Sequence, residues 1–116
     1  MQSITWRDIL DLEKCENLYP MHHRPNPTEN YSIFLISDES QYEDILHNTK
    51  TIDYEGTEKA VWINEKFFNL ANSSPKENIK IYYKQSTNNW HLKGFYILQK
   101  ASIEQSGKFR FWLEPK

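Results

Sequence analysis

Three apolar-rich runs near the C-terminus, separated by short polar turns, constrain this chain more than any other feature. IKIYYKQ (79–85) is followed by STNN, then WHLKGFYILQKASI (90–103), then a turn around QSGK, and finally FRFWLE (109–114). β-branched and aromatic residues dominate each run, and the breaks carry Ser, Asn and Gly. This pattern predicts an antiparallel meander. FRFWLE alternates strictly, with Phe109, Phe111 and Leu113 on one face and Arg110, Trp112 and Glu114 on the other.

The preceding residues add shorter elements. Ser3 or Thr5 can cap TWRDILDLEKC, and Asp8 stands three residues after Thr5 as in a capping box, so a helix is predicted over 6–15. It carries Cys15 as a buried, inert thiol. ENLYPMHHRPNPTEN (16–30) holds three prolines and no periodicity and reads as an extended loop. YSIFLIS (31–37) reads as a buried strand. DESQYEDIL suggests a short helix capped by Asp38 or Ser40, TKTIDYEG a strand entering a turn at Gly56, and AVWIN another strand. Asn64 would then cap a helix through EKFFNLAN, with Phe67, Phe68 and Leu70 partly inward, before the breaker SSPKEN. Five or so strands with two or three short helices imply an α+β fold. A strongly curved, mostly antiparallel sheet or partial barrel would limit exposed edges in so small a chain. The 116 residues suit one domain, 1–116, with its sheet core over 31–114.

Composition excludes several classes of function. The balance of 14 Lys+Arg against 16 Asp+Glu argues against a simple DNA coat, which needs a strongly basic face, although a local basic patch stays open. One cysteine precludes an intramolecular disulfide and any Cys-rich zinc site. No apolar run reaches membrane-spanning length, and no basic-then-apolar leader opens the chain, which reads as soluble and cytoplasmic. Aromatic residues make up 15%, more than a small core readily hides, so some should line a pocket or contact surface.

The polar and aromatic residues concentrate in YEDILHNTKTIDYEGTEK (42–59). Its carboxylates lack a nucleophile with a base, His47 and His91 stand alone, and no phosphate-cradling loop is present. Catalysis by this chain is not expected, and neither a metal nor a cofactor is called for. The adjacent His22 and His23 are poorly spaced for a metal, but HHR followed by PNP is basic and extended and could lie along a phosphate backbone. A recognition pocket for a planar ligand fits better. Tyr42, Tyr54, Trp62 and Trp90 are candidate stackers, and Asp44, Asp53, Glu55 and Asn64 are candidate readers of a base edge. The competing reading makes Trp62 and Tyr54 core residues of strands.

The order of IFLIS, YED, IDYEG, Asn64, IKIYYK, WHLKGFYIL and FRFWLE resembles the SRA (YDG-type) modified-cytosine-binding domains. The likeness is greatest to divergent forms fused to HNH nucleases in modification-dependent restriction enzymes, and it spans roughly residues 31–114. It implies an SRA/PUA-like curved sheet that takes a modified cytosine out of double-stranded DNA, with a nuclease domain or subunit as its partner. Tyr54 would wall the pocket, Asp53 or Glu55 would meet the exocyclic amine, and Tyr42 and Asp44 would shape the floor. His23, Arg24, Lys59, Lys93 and Arg110 would contact the nucleic-acid backbone. The chain departs from the family where TEKAVW replaces a second glycine and a Gly-Asp pair, leaving that loop short and acidic.

Two rival readings remain. An acidic, aromatic-rich chain of this size also suits a protein-binding immunity or inhibitor module of a bacterial conflict system. The same pocket could instead take an RNA base. A DNA reader should gather Arg24, Lys50, Lys59, Lys84, Lys93, Lys108 and Arg110 around the pocket mouth, whereas an inhibitor should show a flat aromatic or acidic face.

Overall fold

The computed structural model describes residues 3–37, 45–47, 51–55 and 61–116. Among them are α1 (Trp6–Glu13), β1 (Met21–His22), β2 (Tyr31–Ser37), β3 (Ile45–His47), β4 (Thr51–Glu55), α2 (Val61–Ala71), β5 (Asn78–Ser86), β6 (Asn89–Ile103) and β7 (Phe109–Pro115). The strands form one sheet in the order β1-β2-β5-β6-β7-β4-β3. Only β2 and β5 pair in parallel, from Tyr31 opposite Asn78 to Ser37 opposite Lys84. Every other pairing is antiparallel. The α+β expectation therefore holds, with a curled, mostly antiparallel sheet and two helices.

The strand order explains how a local sequence segment reaches a distant place. After β2 the chain crosses to the far edge and makes the β3–β4 hairpin. It returns through α2 to lay β5 beside β2, and the predicted β5-β6-β7 meander then fills the gap up to β4. Strand β6 supplies curvature, because its register shifts against β5 at Ile81/Tyr82 and against β7 at Leu98/Lys100. Each such bulge bends a strand and increases its twist. Gly94 sits at the first bulge with φ +134°, a conformation that a residue with a side chain rarely adopts.

Two apolar layers clamp the sheet. On one face Ile63, Phe67 and Ala71 of α2, spaced four apart, pack on Phe34, Ile36, Ile79, Ile81, Leu98, Phe111 and Leu113. On the other, Ile9 and Leu10 of α1 cover Ile33, Tyr82 and Trp90. Trp6 adds a ring contact to Trp90 at 5.2 Å between centroids. None of the described helices is long and apolar enough to cross a membrane.

Several local expectations need correction. Thr5 caps α1 in the foreseen box, its Oγ1 accepting the Asp8 amide at 3.1 Å and its own amide donating to Asp8 Oδ2 at 3.0 Å. The helix nevertheless stops at Glu13, not at 15. Lys14 turns left-handed (φ 55°), and the amides of Lys14 and Cys15 fold back to the carbonyls of Asp11 and Leu10. This Schellman closure satisfies the last carbonyls and leaves Cys15 outside the helix. The expected loop over 16–30 contains β1, where Met21 and His22 pair with Phe34 and Ile33. Two residues are too few to show a period in the sequence.

Of the strand expected over AVWIN, residues 61–64 are helix instead, Asn64 is not a cap, and Ala60 lies outside the described residues. Val61 to Asn64 open α2, whose inward spacing of Ile63, Phe67 and Ala71 dictates a helix. The helix expected over DESQYEDIL is overturned at Ile45 and Leu46, which pair as strand with Asp53 and Ile52. Residues 38–44 lie outside the described part.

Glu13 is the polar anchor of the α1 layer. It is fully buried and accepts from Tyr31 Oη at 2.6 Å, Tyr82 Oη at 2.5 Å and Lys80 Nζ at 2.5 Å. The Lys80 ammonium also lies over the rings of Tyr31, Tyr82 and Phe95, 5.2, 5.2 and 5.6 Å from their centroids. Burial pushes the Glu13 carboxyl upward, but the donors from Lys80, Tyr31 and Tyr82 together outweigh it and hold the group below its ordinary value.

Removing one member of a buried ion pair leaves the other uncompensated, so Lys80→Met should cost about 3–5 kcal/mol in urea unfolding. Glu13→Leu combined with Lys80→Met should recover most of that loss. The carboxylates also set an acid limit. Glu13 and Glu77 are both lowered from 4.5, so their contribution is complete above that value and drains away as pH falls through the lowered folded values. The urea midpoint should be flat near neutrality and drop only as pH falls below the ordinary carboxylate value of 4.5.

Candidate nucleic-acid interface

Residues 52–55 of IDYEG are embedded in the sheet, and the turn expected at Gly56 lies outside the described residues. β4 lies between β3 and β7, with Ile52, Asp53, Tyr54 and Glu55 opposite Leu113, Trp112, Phe111 and Arg110. The segment that the sequence singles out is therefore built onto the last strand of the meander. Phe111 belongs to an aromatic group: Phe109 lies nearly parallel to it (10°) at 6.3 Å, and Phe68 of α2 meets Phe109 edge-on at 6.1 Å. One strand position away, Lys100 Nζ sits 4.6 Å from the centroid of Trp112, the ladder partner of Asp53. Tyr42, Asp44, Lys50 and Lys59 lie outside the described residues.

The other aromatic candidates divide sharply. Trp62 is 70% exposed on α2, which removes the strand-core reading for it. Trp90 is 8% exposed and packs against Trp6, so it is core and not a stacker. Asn64 is buried on α2, beside the apolar stripe of that helix. Helical periodicity separates the two α2 residues: Ile63 and Phe67 face the sheet, and Trp62 and Lys66 share the exposed side.

The described basic candidates differ in their surroundings. Lys93 is half-buried at the β5–β6 bulge. Arg110 is a correction: it is buried in β7 and ion-pairs with Glu104 at 3.5 Å, so it is not displayed for phosphate contact. The HHR motif fares differently. Arg24 projects from the end of β1 with its fork on Glu77, Nη2 to Oε1 at 2.9 Å and Nε to Oε2 at 3.1 Å, while staying 48% exposed. Ser32 Oγ donates to Glu77 Oε2 at 2.7 Å. His23 Nε2 lies 3.7 Å from the same oxygen, with its ring edge-on to Phe67.

Burial pushes Glu77 upward, but Arg24 and Ser32 hold it below its ordinary value, so it is the ionised centre of this cluster. His23 is lowered, first by burial and then by Lys66 and Arg24, against the pull of Glu77. Lys66 precedes Phe67, whose ring edge meets His23, and stands one helical turn from Trp62. Exposed Trp62, Lys66 and Arg24 with half-buried His23 offer an aromatic ring and cations, the pairing used to hold nucleic acid. Sequence reasoning overlooked Lys66, because its proximity to His23 depends on how α2 crosses the sheet. Among the described residues no three His, Cys, Asp or Glu side chains converge as metal ligands would.

The two tryptophans should respond oppositely to truncation. Trp62→Ala should leave stability within about 0.5 kcal/mol, whereas Trp90→Ala should cost about 3–5 kcal/mol by thermal or urea unfolding.

No protein-family model matches the chain, and no curated protein matches its sequence. Solved structures do match its fold. The SRA domain of SUVH5, solved as a complex with fully methylated CG DNA, superposes with a TM-score of 0.70 at 15% identity, covering 100% of this chain and 87% of that one. ScoMcrA, solved as its sulfur-binding and SRA domains with phosphorothioated DNA, gives 0.65 at 14% identity over 98% of this chain and 38% of that one. The DNA modification-dependent restriction endonuclease AspBHI gives 0.59 at 10% identity over 91% of this chain and 64% of that one. The chain thus spans nearly all of an isolated SRA domain but a minor part of ScoMcrA. Its fold is that of the SRA domains.

Proposed function

We propose that this chain is a single DNA-reading domain over 1–116, which recognises a modified cytosine by flipping it from the duplex. In this reading it serves as the specificity module of a modification-dependent restriction system and acts in the cytoplasm. It performs no catalysis of its own and works beside a nuclease domain or subunit. The observation that carries the reading is the whole-chain match to an SRA domain solved with fully methylated CG DNA. The order of YED and IDYEG supports it, with the second motif laid on β4 beside the Phe68, Phe109 and Phe111 group.

The roles follow from chemistry. Flipping costs a few kcal/mol of unstacking and unpairing, which ring stacking and edge hydrogen bonds must offset. Tyr54 and Tyr42 supply stacking faces, and Asp44, Asp53 or Glu55 accepts from the exocyclic amine. Asn64 supports the site from α2. Trp62 contacts the nucleic acid from the exposed side of that helix. His23, Arg24, Lys59, Lys66 and Lys93 meet phosphates and set register without reading sequence.

Titration of the chain with matched duplexes, with and without 5-methylcytosine or 5-hydroxymethylcytosine, tests the proposal. Preference for a modified duplex is expected. Equal weak binding to all duplexes at low salt would rule out modified-base recognition and bring back the protein-binding alternative. Tyr54→Ala should abolish most of the preference while the thermal midpoint stays nearly unchanged. Lys66→Ala should instead weaken binding to every duplex and reduce the salt slope by about one.

A further inference from the structure

The cluster at the end of β1 contains a titratable group whose protonation the proposed phosphate contacts leave undetermined. His23 stands between an ionised, buried carboxylate and two cations. From the start of β5 it faces Glu77, 3.7 Å from Nε2. From α2 the edge of Phe67 meets its ring at 6.2 Å between centroids, and the charge of Lys66, the residue before Phe67, opposes its protonation. Along its own segment it adjoins His22 and Arg24, and β2 contributes only the Ser32 hydroxyl, already donated to Glu77. Glu77 is 4% exposed, so its charge needs a partner, and Arg24 supplies one through two hydrogen bonds. Because Arg24 is half-exposed, that fork can also reach an incoming anion.

We infer that a phosphodiester binding at the Arg24–Lys66 edge is coupled to uptake of one proton by His23. The inference rests on the DNA-reading proposal and adds a pH control to it. A phosphate oxygen at this edge neutralises the two cations that oppose protonation of the imidazole. It also draws the Arg24 fork away from Glu77 and bares the buried carboxylate to His23. Both changes favour imidazolium, which then takes over as the counter-ion of Glu77. The proton comes from solvent and goes to the ring nitrogen facing Glu77. The exchange keeps Glu77 paired in both states, so Arg24 can serve the nucleic acid without leaving a buried charge exposed to no partner.

The sign is fixed by this scheme. His23 is held below its ordinary value of 6.5 in the free protein, so it is neutral near pH 7; in this scheme bound phosphate raises that value. Affinity must therefore rise as pH falls through the window between the two His23 values. One proton gives at most about tenfold per pH unit. Phosphate contacts carry no base information, so modified and unmodified duplexes should share the same dependence.

The test is titration of the whole chain with both duplexes from pH 8 to pH 5.5 at constant ionic strength. It is paired with NMR titration of the His23 ring protons with and without duplex. Tighter binding at lower pH is expected, with a His23 value that rises on duplex binding. His23→Gln should flatten the profile, and His22→Gln should keep it, separating the two adjacent histidines. Lys66→Met, on an exposed position that cannot compromise the core, should raise the free-state value of His23 and shrink the slope. A flat wild-type profile, or a slope surviving in His23→Gln, overturns the inference while leaving modified-base recognition intact. Failure to bind either duplex at any pH removes the DNA-reading proposal and this inference with it.

Discussion

Strand β2 is held from both faces at its first two residues, each by a hydroxyl donated to a buried carboxylate. Tyr31 donates to Glu13 beneath α1, and Ser32, pointing the other way, donates to Glu77 at the start of β5. These bonds fix where β2 begins, and with it the parallel register against β5 that closes the crossover through β3, β4 and α2. A parallel pair joined by a long excursion pays a loop-closure cost that no hairpin incurs. Burying two carboxylates is itself expensive, and each is compensated by a cation, Lys80 for Glu13 and Arg24 for Glu77. With each charge paired, both carboxylates can sit buried at the two ends of this contact without an uncompensated charge.

The same arrangement determines what the surface can offer. Because β5 returns beside β2, the meander must grow toward the β3–β4 hairpin, and β4 docks on β7. Residues 52–55 are thereby laid on the strand that carries the Phe109–Phe111 stack, and α2 packs on the sheet with Phe67 inward and Trp62 outward. Lys66 then approaches His23 across the junction of α2 and β1. An acidic chain of net charge −2 can carry a local cationic edge in this way, because topology and not composition decides which charges meet.

Much of the architecture was legible from the amino-acid order because its signals are local. The β5-β6-β7 meander, strand β2 and the Thr5–Asp8 box each depend on periodicity or on partners a few residues apart. Errors arose where a short apolar run has two readings. AVWIN is a short apolar run ending in Asn64, as a buried strand could be, yet the continuing spacing from Ile63 to Phe67 and Ala71 puts Val61–Asn64 in the first turn of α2. Ile45 and Leu46 look helical beside their acidic neighbours and become strand because β4 offers them an edge. The candidate site was legible as a motif, in YED followed by IDYEG, but Trp62, Trp90 and Arg110 could not be sorted into exposed and buried from the sequence.

The sequence by itself determined the α+β class, the curled antiparallel meander and the order of motifs that resembles the SRA domains. All of these follow from side-chain alternation, turn residues and caps, which act over a few residues. Tertiary structure alone decided that β2 and β5 run parallel, that Arg110 is buried, that Arg24 is committed to Glu77 and that His23 lies between Glu77 and Lys66. The reason is one of distance along the chain. Arg24 and Glu77 are 53 residues apart and Glu13 and Lys80 are 67, so only the folded sheet brings their charges together.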